Sequence, residues 1–359
     1  MKYGGMVATK IDDWRIFQEL EALGYDSAWA PDSQMIWSDC YATLALAAAN
    51  TSRIRLGTGV AIAGTRLAPV TAHSIASINK LAPGRTFLGI GTGHTAMRIM
   101  GQKPVGPSAF REYLRVVRGL LDGEEVDYTF NGETRPIRFQ DRELGCLNLD
   151  DRVPIYVGAN GPKALAATGA YGDGRISAGT EPISVMRNNM EKVRRGADAA
   201  GRALPADFHT AVLTYACVLK PGETLESDRV VAETGAPVVS SLHFWYEIML
   251  QRGNDGFIQD SIRGEWEDYK AHVEAMPEAR RHQTLHTGHC AFLPADERKF
   301  ITPNMIRATL GLVGEPDEIR ERISKMEAAG LKEILLLPPQ ACARENFRDF
   351  ADAVMNSRD

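Results

Sequence analysis

The sequence lacks several features that would place it in a specialised class of proteins. Its five cysteines are scattered and form no Cys-x-x-Cys pair, which argues against a disulfide framework and is typical of a reducing cytoplasm. No run of basic residues occurs and the net charge is −5, so no nucleic-acid or membrane surface is expected. No apolar run approaches the roughly 20 residues of a membrane helix, and the opening MKYGGMVATK leads into no apolar signal segment. We therefore expect a cytoplasmic protein.

The strongest local pattern lies between residues 54 and 101. Two apolar runs, 54–60 and 86–90, are bounded by glycines and are too short for helices, which predicts buried strands. Residues 69–82 place apolar side chains at helical spacing, with Pro69 in the first turn and Pro83 beyond the end. Strand, helix and strand in close succession predict a parallel βαβ unit. Glycines at the carboxyl ends of both strands would let a planar ligand lie against the main chain.

The same alternation continues along the chain. Further strands are predicted at 2–7, 27–30, 153–157, 173–177, 209–219 and 333–337, with a hairpin at 126–139 around Asn131-Gly132. Eight strands alternating with helices predict a single-domain (β/α)8 TIM barrel over residues 1–359. The stretch 221–309 between strands seven and eight far exceeds the usual connection of about 2–6 residues. It is predicted to be a helical insertion, with helices at 224–233, 237–252 and 262–276, that covers the barrel as a lid.

The reactive groups of such barrels follow the carboxyl ends of the strands. The residues that this rule selects are Asp32, Gly59, Val60, Thr92, His94, Asn160 and Gly179. The imidazole of His94 could transfer a proton near neutral pH, or it could only cap the next helix. The glycine turn 158–161 precedes Pro162 at the start of a helix, an arrangement that directs exposed amides at an anion.

Two motifs carry a resemblance to a known family. Leu-Gly-Thr-x-Val begins at Leu56, and Asn-Lys-Leu-x-x-Gly-Arg-x-x-Leu-Gly-Ile-Gly-x-Gly begins at Asn79. Together they resemble the bacterial-luciferase-like superfamily, whose members are barrel proteins that use FMN or a deazaflavin. The superfamily usually has Asp in place of Asn79 and Ser in place of Pro83, both at a helix end away from the ligand face.

The resemblance implies roles for specific residues. Gly59 and Val60 would lie against the flavin ring, at a peptide bulge where we expect a non-prolyl cis bond, and the turn 158–161 would approach the cofactor's phosphate. The resulting cofactor-binding set is Gly59, Val60, Thr92, Gly158, Ala159, Asn160, Gly161, Gly179 and Thr180. Asp32 matches the acidic residue that the family carries at the second strand end, and we expect Asp32 and His94 to be catalytic. Ser33 and His94 replace the His and Glu of the family's sugar-phosphate dehydrogenases, which argues against that activity.

Several functions remain open at this level. By resemblance we expect a monooxygenase that receives reduced FMN from a separate flavin reductase, works with O2 and forms a homodimer. The alternative is hydride transfer with a deazaflavin, coenzyme F420, which the motifs Asp32-Ser33, Trp37-x-x-Cys40-Tyr41 and Tyr269-Lys-Ala-His272 resemble. Further alternatives are an aldolase-type barrel with a Schiff base at Lys220, and a cofactor-storing relative without turnover.

The insertion supplies the expected substrate contacts. It carries most of the histidines, and we expect His243, His272 and His289, together with Trp37 before it, to line the substrate pocket. The spacing His286-Thr-Gly-His289-Cys290 is also compatible with zinc, but no second cluster in the sequence supplies the remaining ligands. No metal site is therefore expected.

Overall fold

Parallel strands close into a barrel in the computed structural model, which describes residues 1–356. The strands are β1 (Lys2–Met6), β2 (Ser27–Ala30), β3 (Arg55–Thr58), β4 (Ala61–Ile62), β5 (Thr86–Gly91), β6 (Val126–Phe130), β7 (Glu133–Ile137), β8 (Ile155–Gly158), β9 (Gly174–Ala178), β10 (His209–Thr214), β11 (Ala216–Val218), β12 (Leu312–Gly314) and β13 (Glu333–Leu336). Around the barrel the order is β3, β2, β1, β13, β10, β9, β8 and β5, and β3 pairs with β5 to close it. The predicted (β/α)8 fold is confirmed, with β4 continuing the position of β3.

Helices alternate with the strands around the barrel, and α8 to α11 belong to the insertion. They are α1 (Ile16–Leu23), α2 (Cys40–Asn50), α3 (Ala68–Leu81), α4 (His94–Arg98), α5 (Pro107–Leu121), α6 (Pro162–Tyr171), α7 (Ile183–Ala199), α8 (Asp228–Arg252), α9 (Arg263–Glu274), α10 (Arg281–Thr284), α11 (Pro303–Ala308), α12 (Pro316–Ala328) and α13 (Ala343–Phe350). Among residues 1–356, no helix combines the length and the apolar character that crossing a membrane would need.

The barrel interior is filled by side chains rather than left as a channel. Trp29, Phe87 and Tyr156 stack there, with ring centroids 4.3 to 5.9 Å apart. A Cβ on Gly57 would lie 2.3 Å from the Phe87 ring, and one on Gly89 would lie 2.1 Å from the Thr58 carbonyl oxygen. These two glycines are therefore needed for close packing of the strands. The space beside these two glycines is taken up by the barrel interior.

The insertion is helical, as predicted, with differences in detail. Helix α8 runs through Pro237 as one helix, whereas the local rule for proline predicts a break there. The turns on both sides of Pro237 are buried, since Val230, Val238 and Leu242 are each 0% exposed. Burial of this apolar face outweighs the single hydrogen bond that a proline removes.

A buried polar cluster ties three strands together at the amino end of the barrel. Glu333 of β13 is 1% exposed, and its carboxylate contacts Nε2 of His209 at 2.5 Å. The same carboxylate accepts a hydrogen bond from Ser27 of β2, which itself accepts one from Trp29 Nε1 at 2.8 Å. Burial alone would raise the pKa of Glu333, but its hydrogen bonds with His209 and Ser27 hold it below the ordinary value.

Candidate active site at the mouth of the barrel

The carboxyl ends of the strands form one rim, and the predicted cofactor-binding residues lie along it. The peptide bond between Gly59 and Val60 is cis, which confirms the expected non-prolyl cis bond. A Cβ on Gly59 would come within 2.4 Å of Met6 and 2.8 Å of Trp29. Gly59 therefore makes room for the barrel interior on that side, and the partly buried Val60 packs against the same interior cluster.

The glycine turn after β8 has the predicted geometry of a helix start. Gly161 is the N-cap of α6 and Pro162 is its first residue. A Cβ on Gly161 would meet no atom within 4 Å, and the same is true of Gly179 after β9, whose φ of +103° favours glycine. Two turns at the rim thus have open space beside a helix N-terminus, where the backbone amides and the helix dipole favour an anion.

An arginine that the sequence analysis missed ties these two turns together. Arg175 of β9 is 4% exposed. It donates to the carbonyl of Ala159 at 2.9 Å and to Oδ1 of Asn160 at 3.2 Å. It also forms a bidentate ion pair with the Glu181 carboxylate, with N–O distances of 2.9 and 2.6 Å. Glu181 accepts a further hydrogen bond from Asn189 at 3.1 Å. The planar guanidinium is suited to bidentate pairing.

Two predicted threonines of the rim are held by neighbouring groups. The carbonyl of Thr92, after β5, accepts a hydrogen bond from the amide of Val105 at 3.0 Å. The hydroxyl of Thr180 donates to Oγ1 of Thr214 at 2.9 Å, which joins the end of β9 to the end of β10. Both contacts fix the shape of the rim.

Asp32 at the end of β2 is engaged in a structural ion pair. It is 4% exposed, and its Oδ2 accepts from the amide of Ile62 at 3.2 Å and from the guanidinium of Arg66 at 2.5 Å. Burial raises the pKa of Asp32, and the Arg66 cation opposes that shift. Arg66 also binds Asp39 at 2.7 Å. These contacts suit a residue that positions the turn after β4.

His94 begins the short helix α4, directly at the rim. Its Nδ1 is buried and has no hydrogen-bond partner among residues 1–356, and its ring meets Phe244 of the lid edge-on, with centroids 5.7 Å apart. Burial lowers the pKa of His94, and the cation of Arg98 lowers it further. At neutral pH the ring is therefore neutral and offers a free nitrogen.

The structure brings Trp37 and three lid histidines together. The rings of Trp37 and His289 lie 5.9 Å apart, His289 and His286 lie 5.8 Å apart, and His286 and His243 lie 6.0 Å apart. The indole Nε1 of Trp37 is buried and has no hydrogen-bond partner within the described chain. His286 is an addition to the predicted set, and only the fold shows that it meets His243.

Two other predicted residues have different contacts. His272 of α9 packs on Phe300 with ring centroids 5.3 Å apart and has its Nε2 3.6 Å from Asp296. Lys220 has its ammonium 3.1 Å from Glu345 and 3.2 Å from Asp349. These hydrogen bonds raise the pKa of Lys220, whereas a lysine that forms a Schiff base needs a lowered pKa. The environment of Lys220 therefore argues against the aldolase alternative.

Comparison with known proteins identifies the family. A profile of the luciferase-like monooxygenase family matches residues 12–333, so the chain belongs to this family of oxidoreductases, as the motifs predicted. The chain is 34% identical over 223 residues to the 5,10-methylenetetrahydromethanopterin reductase of Methanolobus tindarius, which covers 61% of this chain and 63% of that protein. It is 31% identical over 258 residues to the F420-dependent glucose-6-phosphate dehydrogenase of Kineococcus radiotolerans, covering 65% of this chain and 72% of the relative.

A solved structure extends the likeness in fold to almost the whole chain. The coenzyme F420-dependent tetrahydromethanopterin reductase from Methanopyrus kandleri superposes with a TM-score of 0.73 at 21% identity, over 99% of this chain and 98% of that one. The expectation of an FMN monooxygenase is wrong, because these relatives are named as reductases and dehydrogenases, two of them as F420-dependent. Proteins that use either cofactor share the motifs and the fold, which is why the sequence did not distinguish FMN from F420.

Proposed function

We propose that this protein is a coenzyme F420-dependent oxidoreductase that moves a hydride between the deazaflavin and a small organic substrate. The names of the relatives that match along the barrel carry this proposal. The geometry of the rim supports it, since an open glycine turn and a helix N-terminus follow β8, and a second open glycine follows the neighbouring strand β9.

The rim has the chemical features that a flavin-type cofactor needs. Two buried polar atoms beside it, Trp37 Nε1 and His94 Nδ1, have no hydrogen-bond partner in the described chain. Buried polar groups are rarely left unpaired, so such atoms indicate a ligand. The turns 158–161 and 179–180, braced by Arg175, would hold the phosphate, while Val60 would lie against the ring system.

The chain's own groups supply what hydride transfer requires beyond the cofactor. The deazaflavin, when bound, supplies the group that gives or takes the hydride. Removing a hydride from the carbon of an alcohol also requires that the hydroxyl proton leave. His94 is suited to take that proton, because its neutral ring has an unpartnered nitrogen at the rim. In the reverse direction the protonated ring would return it.

The lid completes the site by excluding water. Phe244 of α8 covers the His94 ring, and His289 faces Trp37 from the lid side. A dry site strengthens the electrostatic interactions inside it and prevents competing reactions with solvent. We propose Trp37 and His289 as substrate contacts, with His243 and His272 supporting them, and Asp32 as a residue that positions the rim through Arg66.

Cofactor binding tests the proposal directly. Titration of the protein should quench the fluorescence of F420 with saturation, and FMN should bind much more weakly. Replacing Gly161→Val places a side chain in the open space at the N-terminus of α6 and should weaken F420 binding. Gly106→Val is the matched control, since Gly106 is also an N-cap before proline with open space around it. Binding of FMN in preference to F420, or equal F420 binding by both variants, would refute the assignment.

The homodimer and the cytoplasmic location remain predictions. Light scattering of the purified protein would measure the first, and fractionation of cells the second.

A further inference from the structure

Three histidines from two separate parts of the lid converge in the interior of the protein. His243 lies in α8, and His286 and His289 lie just after α10. Each histidine contributes one ring nitrogen to a group of three nitrogens that all lie within 4.8 Å of one another. His243 and His286 are 1% and 4% exposed. No second ligand cluster is visible in the sequence near His286 and His289, but the fold brings His243 to them.

The hydrogen bonds of these rings leave the same atom free in each. Nε2 of His243 contacts the carboxylate of Glu297 at 3.1 Å, and Nε2 of His286 contacts that of Glu247 at 2.9 Å. Nδ1 of all three rings is buried and has no hydrogen-bond partner within residues 1–356. A carboxylate on the far nitrogen fixes the ring and its tautomer, and this arrangement commonly supports histidines that bind metals.

Two acidic side chains hold the far nitrogens of the cluster. Glu247 and Glu297 contact two of the three imidazoles, and the Arg98 cation, 3.4 Å from Glu247, offsets part of that negative charge. Glu297 also has one oxygen that is buried without a hydrogen-bond partner in the described chain. A divalent ion would satisfy three nitrogen lone pairs at once and balance the carboxylates, whereas protonating all three rings would place like charges side by side.

We propose that His243, His286 and His289 form a site for a divalent transition metal of the zinc type, bound through their Nδ1 atoms. Imidazole ligands suit zinc and its neighbours rather than magnesium or calcium. Tetrahedral coordination at about 2.0–2.1 Å places ligand nitrogens roughly 3.3 Å apart, so small ring movements would close the site. Three protein ligands leave the fourth position for water or another oxygen ligand, as in catalytic zinc sites.

The site lies where the lid meets the barrel. His289 faces Trp37, and its neighbour Cys290 packs against the interior cluster that includes Val60. The Cys290 sulfur is 3.8 Å from Nε2 of His289, the ring nitrogen opposite the proposed metal-binding Nδ1. This proposal is independent of the cofactor assignment, since it rests only on groups of the lid.

Metal binding to the tag-free full-length protein tests the site. After removal of metal with a chelator, Zn²⁺ competition against a chromophoric chelator should show one tight site per chain. His289→Gln and His243→Gln should each weaken binding by at least about 100-fold, and Glu247→Gln by about 10–100-fold. His282→Gln is the matched control, a histidine of the same lid segment outside the cluster, and should bind as the wild type does.

Cobalt provides a second measurement on the unaltered protein, so the test does not depend on variants that fold. Co²⁺ in a tetrahedral histidine site should give intense visible absorption. Absence of a one-to-one Zn²⁺ site in the folded wild type would overturn the proposal. Binding that survives both histidine replacements would overturn it as well.

Discussion

Arg175 offers the sharpest test of how the rim is built. The change Arg175→Met keeps most of the length and apolar volume of the side chain but removes the fork that holds Ala159, Asn160 and Glu181. Removing one partner of a buried ion pair costs about 3–5 kcal/mol, because the other charge is left uncompensated. For 359 residues, an unfolding entropy of roughly 2.1 cal/mol/K per residue converts that loss to about 4–7 °C in Tm.

The same change should weaken F420 binding, because the turns on both sides of Arg175 lose their brace. Ordering a loose segment costs about 0.5–1.5 kcal/mol per immobilised side chain. For Asn160 and Thr180 together this is about 1–3 kcal/mol, equivalent to a loss of about 5- to 150-fold in Kd. Fluorescence titration at a temperature well below Tm measures this loss separately from unfolding.

Two further variants separate positioning from general stability. Arg175→Met with Glu181→Gln should recover most of the lost Tm, since no charge is left unpaired, yet keep the weakened Kd. Arg202→Met removes hydrogen bonds to Gly172 and Asp173 before β9, at the opposite end of the barrel. It should lower Tm without changing the Kd. An unchanged Kd in folded Arg175→Met would refute the argument that Arg175 shapes the cofactor site.

Three other replacements probe different parts of the protein. His94→Gln should lower kcat by about 10²- to 10⁴-fold with little change in the Kd for F420, and equal losses in both would make His94 a binding residue. Lys220→Ala removes an exposed ion pair, so steady-state assays should find activity retained, and a complete loss would revive the aldolase alternative. Glu333→Gln should lower the free energy of unfolding at pH 7 by about 3–5 kcal/mol in urea titrations. Because the pKa of Glu333 is lowered in the folded state, that stability is present above pH 4.5 and is lost as the pH falls through the lowered value. The wild type should therefore lose more stability in acid than the variant, and parallel pH profiles would contradict this.

The barrel could be predicted because each strand carries its own local signal. The run at residues 27–30 is apolar, short and bounded by turn residues, and it forms β2 with those bounds. The run 54–60 is equally apolar, but β3 ends at Thr58 and the next strand, β4, begins only at Ala61, beyond the run. A run of apolar residues indicates burial. It gives no information on where the hydrogen bonds between neighbouring strands are interrupted.

The candidate site was predicted only where backbone signals mark it. Glycine and proline identify the turn before α6, because their conformational limits show in the sequence. No such signal identifies Arg175. Its partners Ala159 and Glu181 belong to different turns, and only the parallel pairing of β8 and β9 brings these turns together. The choice between FMN and F420 was missed because the motifs identify the family, whose members use either cofactor.

One turn of α8 links the proton-transfer residue to the proposed metal site. Phe244 contacts the His94 ring, and Glu247 is shared between Arg98 at 3.4 Å and His286 at 2.9 Å. A metal on Nδ1 of His286 would make its Nε2–H a stronger hydrogen-bond donor to Glu247. The interaction of the Glu247 carboxylate with Arg98 would then be weaker. Arg98 is one of the groups that lower the pKa of His94. Phe244 and Glu247 therefore connect the proposed metal site to the groups around His94 through direct contacts.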